Sequence, residues 1–570
     1  MRKTADKTTA AMEATEAMGT AAMGTARQTT GPVAVLGNGP VGQTTALLLA
    51  RWGVRVVLLD GRPERDLTGS KAICQQGDVL DVWEAVGAGR RIADEGVTWT
   101  TARTFYRDGE LFAYSLRDSG RSVFPPFVNI SQARTEEILD ERIAAEPLID
   151  VRWGHRISDI RQDDAGVHVV CDTPGGPVEV EAAYAVACAG ARSDEIRRML
   201  GLTFDGHSFE DRFLICDIRA ELPDWSRERR FHFDPVWNPG RQVLIHPCPD
   251  STFRIDWQVP GDYDLAAEQA SGALDRRIRV IIGAAPYEIV WQSVYRFYSR
   301  VVDRMRVGRV LVAGDCAHLV SPFGARGLNS GVGDAENAAW KLAFVLKGWA
   351  GEDLLGSYHD ERHAAALENL AVTTATMDFL VPQDEQQRAR RVDLLTRAQR
   401  DPAVHGDVDS GRLSEPFWYA ASPLTTPDPV RPFRGRPPRG HVPPAGPGVL
   451  VPDAPVTVTG SACTRLREIA REGFLLLAAP GVDLAGVRAA ARQGTSAPVR
   501  VLELKDIDVS GALTEALAAR EGELWVVRPD AHVAAVLATP TQGQVVRALR
   551  AAQGGELPVS TGARSGGHLD

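Results

Sequence analysis

What this chain lacks narrows its chemistry first. Its seven cysteines include no CxxC pair and no spacing that would hold a metal, which argues against disulfide exchange and leaves no metal expected. Cysteines used singly, as small apolar side chains, fit a reducing compartment, so a cytoplasmic protein is expected. No apolar run reaches the roughly 18 residues of a membrane span. A cationic excess is missing too. Lys and Arg number 64 against 74 Asp and Glu, a formal charge of −10, which is the wrong sign for a nucleic-acid surface. There are no internal repeats. The first 30 residues are rich in Ala, Thr and Met, without the continuous apolar core of a secretory signal. A disordered extension is expected over 1–30 and a tail over 556–570.

What is present is ordinary in bulk and specific in detail. With 570 residues, 44% of them apolar and 24% charged, the chain has material for several cores. A buried-strand pattern at 33–36, a glycine turn, a helix pattern over 44–52 and a strand over 55–59 form one βαβ unit. Further strands are expected over 167–171, 184–189 and 309–313, with helices over 135–145 and 333–346. Between them, short alternating runs at 212–218, 242–246 and 252–257 are separated by Pro, Gly and Asp, as in a mostly antiparallel sheet. The βαβ domain is therefore interrupted by a β-rich one. Residues 422–455 are dense in Pro, Arg and Gly and read as a linker. Strands at 474–478, 499–504 and 524–528 then alternate with helices at 484–493, 511–520 and 542–551, a small separate α/β domain.

Two glycine-rich segments carry the chemistry. In Gly37-Asn38-Gly39-Pro40-Val41-Gly42, between strand and helix, glycines permit a tight turn and close approach of backbone to a pyrophosphate at the helix N-terminus. Asp60, ending the next strand, is placed to accept hydrogen bonds from a ribose. The second segment follows the strand at 309–313: Gly314-Asp315-Cys316-Ala317-His318, then Ser321-Pro322-Phe323-Gly324-Ala325-Arg326-Gly327-Leu328-Asn329-Ser330-Gly331. Asp315 is a short acceptor at a strand end, suited to a ribityl hydroxyl. Pro322 fixes a loop, and the N–H groups opening the helix at 327–331 can stabilise the negative charge of a reduced flavin ring. Together the motifs imply bound FAD.

On these residues the chain resembles the FAD-dependent aromatic hydroxylases of the para-hydroxybenzoate hydroxylase class. Within that class it is most similar to the branch holding 3-(3-hydroxyphenyl)propionate hydroxylase, the chlorophenol monooxygenases and the aromatic polyketide hydroxylases. The resemblance implies an α/β fold: a Rossmann-like FAD-binding domain (31–95, 131–204, 301–385) interrupted by a β-rich substrate domain (96–130, 205–300). A helical, Pro-rich linker (386–455) and a thioredoxin-like domain without CxxC (456–555) follow. Carried over residue by residue, Gly37, Gly39, Pro40, Val41 and Gly42 form the pyrophosphate turn, and Asp60 meets the adenosine ribose. Lys71 stands where the family usually has Arg, which keeps charge but loses bidentate geometry. Gln132 meets the ribityl chain; Asp315, Pro322, Gly327, Leu328 and Asn329 form the flavin loop; Arg326 replaces a common Gln near the ring. Gly190 belongs to the middle motif, where Ala189 replaces the family's Asp. In relatives the last domain supports subunit contacts in a homo-oligomer or stability alone, and both readings stand.

The implied reaction consumes NADH or NADPH, bound transiently, to reduce FAD; dioxygen then gives a flavin hydroperoxide that hydroxylates a phenolic or polyketide aromatic. The protein's part is to place the ring and exclude water. A phenol reacts better deprotonated, so a base or acceptor is sought on the β-rich domain. His232, Tyr295, His246 and Tyr106 are the candidates, and with Arg326 the first two form the expected catalytic set. Phe231, Phe233, Trp237, Phe253 and Trp257 could line an apolar pocket or pack the sheet. Other flavin oxygenations, such as a Baeyer–Villiger reaction, stay open, as does a non-catalytic FAD-loaded binding protein, which Ala189 alone supports. Halogenation is disfavoured, since 256–260 carries one Trp where that chemistry shows two.

Overall fold

Residues far apart in the chain assemble the sheet under the first glycine turn. The computed structural model describes residues 31–67, 69, 71–115, 122–437 and 443–555; the expected extension and tail lie outside them. Strand Val33–Leu36 is central, with Val56–Leu59 and Ile149–Arg152 on one side and Tyr184–Ala187 and Val310–Val312 on the other, all parallel. Arg306–Val307 closes the edge as an antiparallel partner of Val310–Val312. Val33, Leu36, Leu58, Leu59, Ala185 and Leu311 are completely buried. These strands are apolar without alternation because both sheet faces are covered. Helix Pro40–Arg51 packs against the long helix Arg326–Leu346.

Both helices begin earlier than their apolar pattern. The first starts at Pro40, because a proline at the first helical position sacrifices no hydrogen bond. The second takes in Gly327, Gly331 and Gly333, which propensity disfavours in a helix. Close packing decides: a Cβ at Gly331 would stand 2.6 Å from a Val41 methyl.

The interrupting domain is an eight-stranded sheet, antiparallel except where Glu228–Phe233 pairs parallel with Thr101–Tyr106. Two of its strands, Phe204–Ala220 and Tyr287–Val302, are far longer than the short runs visible in the sequence. One face buries Leu214, Cys216, Ile255 and Trp257 under helices Leu265–Ala270 and Ala273–Ile282. The other buries Phe213, Phe231, Phe233 and Leu244 against Phe323, Met377 and Leu395. The aromatic group expected to act together is therefore divided by strand parity: Phe253 and Trp257 face the helices, Phe231 and Phe233 the opposite side.

The last sheet orders Val499–Glu503, Phe474–Ala478, Glu523–Val527 and Val533–Ala538. Its core continues into the rest of the molecule, since Leu476, Val526 and Leu549 pack in one cluster with Trp340 and Phe344 of the long helix. The segment expected to be a linker begins with helix Glu385–Ala398 and then lies across the body as a strap. Ser414 N–H donates to the Gly324 carbonyl at 2.7 Å, and Arg229 Nη2 donates to the Ser410 carbonyl at 2.6 Å. No helix among the described residues is long and apolar enough to cross a membrane.

Candidate functional site

The two glycine motifs touch. Val41, from the first, packs on Gly314 and Gly331 of the second, where added Cβ atoms would lie 3.1 and 2.6 Å from its methyls. Within the first motif, a Cβ on Gly42 would stand 1.8 Å from the Gly37 carbonyl oxygen. Gly37 itself has φ of 111° and lies against the Cys188–Ala189 backbone. Gly39 differs, for nothing lies within 4 Å of where its Cβ would be. Helix Pro40–Arg51 and helix Arg326–Leu346 both lack a side-chain cap and any acid in the first turn. Their N–H groups and dipoles thus favour negative charge in one shared region. Ala325, capping the second helix, adopts a left-handed φ of 56°. A turn that leaves no room for a Cβ at Gly37 or Gly42, beside two uncapped helix ends, suits the pyrophosphate and ring of a flavin dinucleotide.

At the end of the second strand, Asp60 accepts from the N–H groups of Asn38 and Arg62, both at 2.9 Å, and from the Arg62 guanidinium. Burial opposes its ionisation, but these bonds outweigh burial and hold the carboxyl below its usual range. Arg65, which the sequence reading did not single out, clamps the turn. It donates to the Asn38 carbonyl at 3.0 Å and to Glu136 at 2.6 Å, and pairs with Asp140. Gln132 Oε1 accepts from Ala72 N–H at 3.1 Å, so it shapes the loop that carries Lys71, whose side chain is exposed.

At the second motif, Asp315 is exposed on a floor crowded by protein; that crowding pushes its carboxyl up against the pull of His318, Lys71 and Arg197. Gly327 lies beside it, with a Cβ there 4.0 Å from Asp315 Oδ1, and Pro322 is exposed nearby. Leu328 is half-buried. Asn329 is buried and structural in its contacts, accepting from Gln76 N–H at 3.0 Å and donating to the Cys74 carbonyl at 2.9 Å. His318 Nε2 meets Asp334 at 2.7 Å, and Asp334 also receives Gly314 N–H and Arg362. Burial raises Asp334, yet His318 and Arg362 pull it below the ordinary range. His318 thus braces the loop. Gly190 has φ of 78° with open space at its Cβ.

Arg326 is placed otherwise than expected. Its guanidinium is buried and donates to Asn369 Oδ1 at 2.7 Å and to the carbonyls of Arg412 and Leu413. Burial pushes its pKa down to about 10. Its contacts hold the strap, and the reading of Arg326 as a catalytic group gives way to that of an anchor.

Strand register sorts the remaining candidates. Ser293, Ile215, Asp256, Leu244 and Phe231 lie side by side across five strands on the face that meets Phe323. One row along, Trp291, Asp217, Arg254 and His246 share that face, and Tyr295 pairs with Phe213 on the other side. Tyr295 and His246 therefore belong to the face of interest, with burial holding His246 well below its ordinary pKa. His232 does not. It pairs with Val243, whose side chain enters the helix-covered core, and stacks on Phe105 at 4.4 Å. Burial drops its pKa to about 3. The expectation of a base at His232 is corrected: one-residue parity sends it away from the glycine motifs.

Sequence reasoning missed Arg254, Asp217 and Asp256. Arg254 and Asp217 form a buried bidentate pair at 2.8 and 2.9 Å, and Arg254 also donates to the Lys71 carbonyl at 3.1 Å. The alternation Phe253, Arg254, Ile255, Asp256, Trp257 reads as polar-outward; the signal available was an acid and a base in one strand, with a second acid, Asp217, on its neighbour, on a face that is covered.

Comparison with known proteins follows the same lines. A family model described as an FAD binding domain matches residues 30–373. Para-nitrophenol 4-monooxygenase of Pseudomonas sp. (strain WBC-3) is 30% identical over 383 residues, 65% of this chain and 93% of that protein. The 3-(3-hydroxy-phenyl)propionate/3-hydroxycinnamic acid hydroxylase of Mycobacterium sp. (strain KMS) is 28% identical over 381 residues; the match spans 65% of this chain but 64%, under two thirds, of that enzyme. Among solved structures, aklavinone-11 hydroxylase in a ternary complex with FAD and aklavinone superposes with TM-score 0.73 at 24% identity, covering 91% of this chain and 98% of that one. The flavin-dependent monooxygenase PieE, in complex with FAD and substrate, gives TM-score 0.78 at 23% identity, covering 91% and 99%. At these identities the structures show a shared fold.

Proposed function

The chain belongs to the FAD-binding domain family, and from that premise we infer that it is an FAD-dependent monooxygenase hydroxylating a phenolic or polyketide aromatic. One observation carries this reading: two glycine motifs nearly 300 residues apart pack on each other at Val41, facing a sheet that carries Asp256, Tyr295 and Phe231. When bound, FAD supplies the electron transfer and activation of dioxygen; NADH or NADPH is the transient reductant. The residues present fit FAD. Gly37, Gly39, Pro40, Val41 and Gly42 offer the pyrophosphate cradle, Asp60 faces the ribose side, Gly190 follows the strand on the other side of Val33–Leu36, and Asp315, Pro322, Gly327 and Leu328 line the ring side. Gln132 and Asn329 shape this site through the backbone they hold, and Lys71 adds a cation beside Asp315. The sheet face with Ile215, Leu244 and Phe231 orients the aromatic ring and keeps water off it.

The last domain has the order of a thioredoxin-like sheet, with parallel Phe474–Ala478 and Val499–Glu503 beside an antiparallel pair. It has no CxxC, and we assign it a docking role on the long helix. The described cysteines are all free thiols, which agrees with a cytoplasmic setting. The test is NADH and NADPH oxidation by the purified yellow protein, with and without a panel of phenols, and product mass. Stimulated oxidation with gain of one oxygen is expected. A bound flavin that neither nicotinamide reduces, whatever the aromatic, refutes the reading.

A further inference from the structure

Asp256 has no place in the glycine-motif chemistry, yet its position is demanding. It sits in the middle of the sheet face, with Ile215 on one neighbouring strand and Leu244 on the other. Its Oδ1 is buried without a hydrogen-bond partner, while the residue as a whole keeps some access to solvent. A buried carboxylate oxygen left unmatched is costly, so folds retain one where something else is to be met there. The cation next to it does not satisfy it: Arg254 gives its Nε and Nη2 to Asp217.

The flanks locate Asp256 further. On one side, the row holding Arg254 contacts the loop of Lys71 through the Lys71 carbonyl. On the other, Phe323 of the second glycine motif packs on Phe213 at 5.5 Å and on Phe231 at 6.3 Å. Asp256 occupies the interval between these two loops, which frame the cofactor site. An aromatic ring lying over Ile215, Leu244 and Phe231 brings an edge substituent within its reach.

We propose that Asp256 receives the ring hydroxyl of the aromatic substrate and removes its proton. The phenolic O–H bond breaks, its electron pair stays on oxygen to give the electron-rich phenolate, and the proton passes to the Asp256 carboxylate. No redox change accompanies the step. The inference rests on the monooxygenase reading and names the acceptor that reading lacked. Charged and titratable groups around Asp256 are Arg254 on its own strand, Asp217 and His246 on neighbouring strands, Arg229 one strand further and Lys71 in the facing loop. Burial lifts the carboxyl to about 7, Arg254 opposes this and Asp217 adds to it. A base of that strength is matched to a phenol near neutral pH.

The experiment uses the FAD-loaded protein and 4-nitrophenol, whose phenol and phenolate forms absorb at different wavelengths. Titrated near pH 7, where the carboxyl is partly ionised and able to accept a proton, the wild type should bind a larger share of the probe as phenolate than Asp256→Asn does. Flavin absorbance and the melting curve of the variant establish that it is folded. With a phenol that supports turnover, the Asp256→Asn rate should fall about 100-fold and lose the rise with pH seen in the wild type; Asp256→Glu should restore part of both. Ionisation of the bound probe in Asp256→Asn as in the wild type, or failure of the wild type to bind or ionise it, overturns the proposal. Failure of every phenol to stimulate wild-type nicotinamide oxidation is a separate result, which overturns the functional reading instead.

Discussion

Replacing Glu361 should cost more stability than any surface change in this protein. Its side chain is completely buried between helix Gly356–Leu380, which carries it, the long helix, and the C-terminal domain. Lys341 Nζ reaches it at 2.7 Å, Asn337 Nδ2 at 2.7 Å, and Arg528 at 2.5 and 3.0 Å. Lys341 and Arg528 are as buried as Glu361. Burial alone would raise Glu361, but Arg528 and Lys341 hold it well below the carboxylate range. Burial already pushes Lys341 down to about 8 with its partner in place. Glu361→Gln keeps the shape and removes the charge, leaving two buried cations to share Asp530. Breaking a buried pair in this way costs about 3–5 kcal/mol. Spread over a chain of 570 residues, that lowers the melting temperature by about 2.5–4 °C. Calorimetry on the FAD-loaded protein reads the shift, and the double variant Lys341→Met/Glu361→Gln should cost less than the sum of its parts, by about 1–3 kcal/mol. A shift under about 2 °C, with additive single effects, refutes the argument: water would then be solvating the network and the domains would not be joined through it.

Three further outcomes follow from named contacts. Burial lifts Asp256 from 3.8 to about 7, so the folded chain binds the proton more tightly and stability falls as pH rises through that window. Roughly three units set a ceiling near 4 kcal/mol, reduced by the residue's partial access to water; the melting advantage of Asp256→Asn should therefore widen from pH 5.5 to 7 and then level off, and parallel melting curves would show that no such penalty exists. Gly42→Ala drives a Cβ to 1.8 Å from the Gly37 carbonyl, whereas Gly39→Ala meets no protein atom within 4 Å; the first should purify colourless and less stable, while the second should fold normally and hold FAD more weakly, as absorbance and melting will show. Arg326→Met removes the bonds to the Arg412 and Leu413 carbonyls, so limited proteolysis should cut within 408–437 faster than in the wild type; an unchanged digestion pattern would mean that Ser414 and Arg229 hold the strap unaided.

The cofactor motifs were legible because their physics is local. Glycines at positions 37, 39 and 42, a strand before and a helix after are demanded by a tight turn and an open N-terminus, and neighbours in sequence suffice to recognise them. The acceptors and bases of the sheet were not legible, because each depends on which face a strand presents. His232 and Asp256 both sit in alternating runs, and only pairing with Val243 in one case and Leu244 in the other separates them. Arg326 misled for a related reason. Its place beside the glycine motif suggested a partner in the ring, while its partners came from Asn369 and the strap, tens of residues away. The Pro-rich stretch looked like a connector because composition records the absence of helix and strand and says nothing of what the backbone lies against.

By itself, then, the sequence determined the two glycine motifs and the family to which they belong, since these are patterns made within a few residues and bound to fixed residue types. Tertiary structure alone decided that the two motifs meet at Val41, that Asp256 rather than His232 faces them, and that the strap and the last domain complete the body. Those outcomes turn on strand register and long-range packing, where a single-residue shift reverses a side chain and no local pattern records the direction.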